Sequence, residues 1–205
     1  EVAQLQLSAA EALVCALRIQ TNGNILVLEG TQDSASNKRF WQEHGPRALG
    51  LVRASKLRLS SWRVAAAEMD AFLYANSAKG IVRQAFTGAG VEYLRLANYL
   101  VDHYKAHDSA VSLCYLGGFY AVAPWPLGNM PRGLADMMAA LQIEPKSRRN
   151  NYYVCLLQYK NGDFSSAAAS CKAALRANCI GSEKDYCDFL TDQVHRILYL
   201  ASSAA

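Results

Sequence analysis

The sequence predicts an all-α fold of stacked helix pairs, and three observations carry that expectation. Two stretches near the C-terminus match when laid 34 residues apart: Gly128 with Gly162, Met130 with Phe164, Gly133 with Ala167, Ala135 with Ala169, Met137 with Cys171, Ala139 with Ala173, Ala140 with Ala174 and Leu141 with Leu175. Apolar residues recur at helical spacing over much of the chain. Composition is 52% hydrophobic and 19% charged, rich in alanine and poor in proline, which is globular and helix-forming rather than disordered. The period has a physical sense. A glycine makes the turn between two helices, a small residue at Gly133 or Ala167 lets them approach, and Met137 or Cys171 fills the gap one turn on. Ala140 or Ala174 then admits the next helix, and Pro145 stops the first unit's second helix because it lacks an amide donor.

Taken in order, Ser8-Ala-Ala-Glu11 is a capping-box pattern for a helix running to about Gln20, with Asn22-Gly23 as its stop. Asn24 to Gly30, with Ile25, Leu26, Val27 and Leu28, is β-like and has no second strand to pair with. It is expected as an extended linker or as a strand completed by another chain. Residues 31–45 are polar and expected as a surface loop, with at most a helical turn at Phe40-Trp41. Gly45-Pro46 suits a helix start, and that helix should reach about Leu57.

Ser60-Ser61 caps a helix to Ala78 with Trp62, Ala66, Met69, Phe72 and Leu73 on one face. Ile81 to Lys105 is amphipathic through Val91, Leu94, Ala97, Val101 and Tyr104, with a bend or break at Gly88 and Gly90. This pair has the character of a degenerate repeat. The first clear unit covers 109–145, with helices at about Ser109–Ala123 and Arg132–Ile143 joined by Pro124-Trp125-Pro126-Leu127-Gly128-Asn129. The second covers 146–179, with helices at about Arg149–Lys160 and Phe164–Ala177 joined by Asn161-Gly162-Asp163. A capping helix over 182–200 turns Phe189, Val194, Ile197, Leu198 and Leu200 inward. Two regions follow: 1–59, a less regular segment with a helix, an extended stretch and a basic helix, and 60–205, the repeat domain.

A 34-residue period of this kind resembles the tetratricopeptide family, whose antiparallel helix pairs stack into an α-solenoid. From residue 109 onward the chain is similar to the regulator of microtubule dynamics family. It is also similar to the tetratricopeptide lipoproteins associated with TRAP-type transporters. Both groups share the proline-containing loop before an alanine-rich helix, Pro126 to Pro145; in the first group an asparagine-bearing helix follows, as at Asn150-Asn151, and then an acidic helical tail, as from Glu183 to Leu200. The resemblance implies a fold and a binding role, and neither group brings a catalytic motif to this chain.

Net charge is +4, too mild to argue for nucleic acid, but unevenly spread. Arg47, Arg53, Lys56, Arg58 and Arg63 follow one another with no acid between them. That stretch is a solvated helix face or a surface for acidic headgroups or an acidic partner. The uncharged run Ser109–Pro131 is broken by Gly117, Gly118, Pro124 and Pro126. What remains, Ala110–Ala123, falls short of the roughly 20 residues a span needs, so no transmembrane segment is expected there. The start at Glu1, without methionine or leader pattern, fits removal of a targeting segment.

Sites for chemistry are sparse. His103 and His107 have the spacing of a two-imidazole metal pair but lack a third ligand, and a solvated helix end is the simpler expectation. Six cysteines include no Cys-x-x-Cys motif. Cys114, Cys155 and Cys171 suit core positions. Cys155 and Cys171 also fall on facing helices, and Cys179 and Cys187 flank one loop, so disulfides are the alternative to simple core packing if the compartment is oxidising. Gly88-Ala-Gly90 follows no strand and is no nucleotide fingerprint. No nucleophile arrangement is present, so no enzyme activity and no cofactor are expected.

Pro124-Trp125-Pro126-Leu127 is a stiff turn carrying two apolar anchors, unless Trp125 folds back on the preceding helix. The expected role is a non-catalytic scaffold or accessory subunit of a larger assembly, a photosynthetic or respiratory membrane complex of a plastid or mitochondrion. It would bind through Trp125 and Leu127, through Arg47, Arg53, Lys56 and Arg58, and through Ile25 and Val27. The competing role is a small-ligand-binding protein with a pocket near Tyr93, Tyr120 and Trp125.

Overall fold

Short polar side chains set most of the helix starts. In the computed structural model, which describes residues 1–23, 34–57, 61–79 and 88–204, Ser34 Oγ accepts from Asn37 N and Ser61 Oγ from Val64 N. Asn129 Oδ1 accepts from Arg132 N, Ser147 Oγ from Asn150 N and Asp163 Oδ1 from Ser166 N. Each satisfies an amide that has no partner within its helix. The secondary structure of the described residues is helical, with no strand among them.

One compact unit holds α1 (Val2–Thr21), α2 (Ala35–Ala54), α3 (Trp62–Ser77) and α4 (Ala89–Tyr104). The other holds α5 (His107–Val122), α6 (Met130–Ile143), α7 (Arg148–Lys160), α8 (Phe164–Arg176), a 3-10 turn (Gly181–Tyr186) and α9 (Cys187–Ala204). The units thus divide after Tyr104, where the sequence had placed a boundary after residue 59.

In the first unit α1 packs on α2 and α3, and α3 packs on both α2 and α4. Its core joins Leu7, Val14 and Leu17 of α1 to Trp41, Ala48 and Val52 of α2 and Val64, Ala67, Ala71 and Tyr74 of α3. Asn22 ends α1 in a left-handed conformation at φ 56°, the stop expected from Asn22-Gly23. The helix begins well before Ser8, however. Ser8 and Glu11 are therefore not a capping box, and both accept hydrogen bonds from Arg63 instead.

The expected loop at 31–45 is overturned for its described part. Residues 35–45 are helical, Trp41 is wholly buried, and Pro46 lies inside α2 rather than at its start. Gly45 explains the placement: a Cβ there would sit 2.6 Å from Ala75 N, so the glycine lets α2 cross α3 closely. The inward stripe of α4 is Tyr93, Leu96, Ala97 and Leu100, not the one led by Val91, which is exposed. Buried positions on α3 surround much of the helix rather than one face. The Asn24–Gly30 segment, with Ile25 and Val27, lies outside the described residues, as does Arg58.

In the second unit each helix packs on the next, and α7 also meets α9 and α5. Gly133 is a point of close approach: a Cβ would lie 2.8 Å from Gly117 O. On α9 the buried residues are Leu190, Gln193, Val194, Ile197 and Ala201. Of the five expected inward, Phe189, Leu198 and Leu200 are only half-buried.

Candidate functional site

The α5–α6 turn is built to hold its tip in water. Leu127 N and Gly128 N both donate to Pro124 O, and Asn129 N donates to Tyr120 O at 2.8 Å, closing the turn with backbone bonds. Arg132 lies over the Tyr120 ring, its guanidinium carbon 3.8 Å from the centroid, fixing the base of the turn by a cation–π contact. On this frame Trp125 is 91% exposed and Leu127 44%. The indole does not fold back on α5.

A second exposed apolar surface was not seen in the sequence. Val2, Leu5, Ala9, Ala12, Ala16 and Ile19 follow at alternating three- and four-residue steps, and all six are exposed on α1. The signal lay in that spacing, hidden because Leu7, Ala10, Val14 and Leu17 make a second stripe of similar quality. By length and composition α1 meets the requirements of a membrane-crossing helix, while that second stripe packs into the core of its unit.

The basic stretch is neutralised only in part. Arg53 pairs with Glu68 at 3.3 Å and Glu92 at 3.4 Å, and Arg63 with Glu11. Arg47 and Lys56 are exposed. His103 stacks on Tyr99, with ring centroids 4.1 Å apart, and its Nδ1 meets Tyr99 O at 2.9 Å. Among the described residues no group of three or more His, Cys, Asp or Glu is placed to hold a metal ion.

The densest polar chemistry is buried in the second unit. Arg149, at the start of α7, is wholly buried, between Asp108 Oδ2 at 3.5 Å and Glu183 Oε1 at 3.9 Å. Burial works against its charge, but Tyr186, Cys114, Asp108 and Glu183 around it hold its pKa well above the ordinary arginine value. The same burial pushes the Cys114 thiol up to about 11, so it stays protonated, and the Tyr186 phenol up to about 12. Glu183 also accepts from Ser147 Oγ and, at 3.1 Å, from Arg149 N, placing a carboxylate at the N-terminus of α7.

This cluster grips an unusual turn. Asp108, Ser109 and Ala110 have φ of 44°, 56° and 59°, three successive left-handed residues at the start of α5. Arg149 Nη2 donates to Asp108 O, Asn150 Nδ2 to Ser109 O at 2.9 Å, and Ser182 N and Oγ to the Asp108 carboxylate. Asn150 Nδ2 also reaches Ala140 O at 3.1 Å, tying the end of α6 to the same turn. The pattern is a clamp that holds backbone. In the sequence Arg149 and Glu183 mark only the start of a helix and of the acidic tail, because nothing in their local spacing marks a charge as buried.

The alternative to simple core packing holds for four of the cysteines: Cys155 is bonded to Cys171 and Cys179 to Cys187, with Cα separations of 5.3 and 5.9 Å. Cys15 and Cys114 are free thiols. No protein-family model matches the chain, and no curated protein is significantly similar to it.

Proposed function

We propose that this chain is a non-catalytic interaction scaffold, an accessory subunit docked on a larger protein assembly. Its second unit is read as two tetratricopeptide-like antiparallel pairs, α5–α6 and α7–α8, closed by α9 as a cap. The observation that carries the role is Trp125, an indole held out in water on a turn whose backbone is already braced. Docking such a group sacrifices little conformational freedom, and tryptophan is among the side chains that dominate interface energies. The repeat reading is supported by burial: Gly133 and Ala167, Met137 and Cys171, and Ala140 and Ala174 are all buried, while Ala135 and Ala169 are both exposed. The exposed stripe on α1 adds a second surface with the spacing of a helix–helix seam. Placement beside an organellar membrane, in a photosynthetic or respiratory complex, rests on Arg47 and Lys56, cations available to acidic headgroups or an acidic subunit.

The test is native purification of the protein and of a Trp125→Ala, Leu127→Ala variant. The wild type should co-migrate in stoichiometric amount with a large complex. The variant should fold normally and bind about 30-fold or more weaker, the equivalent of roughly 2 kcal/mol for a lost anchor. A free monomer carrying a bound small molecule would overturn the reading in favour of a ligand-binding protein.

A further inference from the structure

The two disulfides sit in opposite surroundings. Cys155 and Cys171 are wholly buried, whereas Cys179 and Cys187 are both half-buried and reach the surface. Beside Cys187 stands Arg148, whose Nη1 is 3.4 Å from Cys187 Sγ. The guanidinium is held there by neutral oxygens: Ala174 O at 3.3 Å, Ala177 O at 2.8 Å and Thr191 Oγ1 at 2.7 Å. No carboxylate among the described residues pairs with it, so its charge is available to the sulfur. Cys187 is also the first residue of the 18-residue α9, where the helix dipole favours an anion. Asp185 and Asp188 flank it and oppose part of that effect. On balance these are the surroundings that stabilise a thiolate.

The segment this disulfide closes is the one that holds the clamp. Between Cys179 and Cys187 lie Ser182, which binds Asp108, and Glu183, which binds Ser147 and Arg149. We propose that Cys179–Cys187 is a thiol-exchange site for a dithiol reductant, and that its opening releases the Ser182–Glu183 latch from α7 and the left-handed turn.

The chemistry is a two-step exchange. One thiolate of the dithiol attacks Cys179 Sγ; the bond to Cys187 breaks, and its electron pair leaves on Cys187 Sγ beside Arg148. The second thiol of the reductant gives up its proton to water and attacks the mixed disulfide, expelling the Cys179 thiolate, which takes a proton from solvent. The protein disulfide has then gained two electrons and the dithiol has become a cyclic disulfide.

Graded dithiothreitol under native conditions, followed by alkylation and peptide mass spectrometry, tests this. Cys179 and Cys187 should be labelled at least about tenfold faster than Cys155 and Cys171, whose reduction requires the fold to open. Amide exchange should rise at Ser182, Glu183 and Arg149 once the first pair is reduced. A Cys179→Ser, Cys187→Ser variant should show the same rise without reductant. A leaving thiolate without the arginine beside it departs more slowly, so reduction of Arg148→Gln should be about threefold slower, with Arg148→Lys near wild type. Simultaneous reduction of both pairs, or exchange at the latch unchanged by reduction, overturns the proposal. So does an Arg148→Gln variant reduced as fast as wild type or faster.

Discussion

The α5–α6 and α7–α8 pairs bury the same aligned positions by different chemistry. In the first, α5 and α6 approach through bare backbone at Gly117 and Gly133. In the second, the position equivalent to Gly133 is Ala167, and the pair is closed by a covalent bond between Cys155 and Cys171. Those cysteines stand 34 residues after Ala121 and Met137. The second pair also begins with a buried cation, Arg149, at the position where the first has Tyr115. The turns differ as well. Asn161-Gly162-Asp163 is tight, with Gly162 at φ 81°, while the first pair extends its turn to present Trp125. Across the 34-residue alignment the same small positions are buried, while the contact chemistry and the turn differ.

The largest expected effect removes the buried cation that opens the second pair and grips the start of the first. Arg149→Ala leaves Asp108 and Glu183 without their buried counter-charge and should cost about 3–5 kcal/mol, read from chemical unfolding. Opening the covalent link comes next. Cys155→Ala with Cys171→Ala removes a bond across a separation of 16 residues, for a loss of about 3 kcal/mol. In the first pair, Gly133→Ala places a Cβ 2.8 Å from Gly117 O, and overpacking should cost about 1–3 kcal/mol, with the added exchange confined to α5 and α6.

The smallest effect separates the two pairs by pH. Asn129→Ala removes a helix cap for about 1 kcal/mol at any pH. The Asp163 cap titrates. Its pKa is lowered in the fold by the hydrogen bonds from Ser166, so its contribution is complete above the unfolded aspartate value of about 3.9 and fades as pH falls through the lower folded value. Unfolding curves of Asp163→Asn and wild type should therefore converge in acid.

Much of the second unit was legible because its helices are bounded by local chemistry: Asn129, Asp163 and Pro145 mark ends within a few residues. The small positions Gly133, Ala167, Ala140 and Ala174 also declared their role by recurring. The first unit was harder. Gly45-Pro46 has the local signature of a helix start, and only the crossing with Ala75 shows why the pair sits inside α2. Trp41, Gly45, Ala48 and Val52 do fall at helical spacing, a signal masked by the proline. The buried clamp was not legible at all. Asp108, Arg149 and Glu183 are 41 and 34 residues apart in sequence, and no local pattern joins them. The exposure of Trp125 was open for a related reason, since stiffness in a turn does not say which way its side chain points.

The left-handed turn at Asp108–Ala110 has a consequence for the order of events at synthesis. For residues with a Cβ this conformation is unfavourable by roughly 1–2 kcal/mol each, and it persists only while Arg149, Asn150 and Ser182 hold it. Ser182 lies 74 residues downstream of Asp108. A chain emerging from the ribosome therefore has α5 in hand long before it has the partners that bend its first turn. Until the 3-10 segment emerges, residues 108–110 will favour right-handed dihedrals and point the chain before α5 in another direction. The second unit can settle into its final form only once Ser182 has emerged, so a truncation just before Gly181 would lose this turn along with α9.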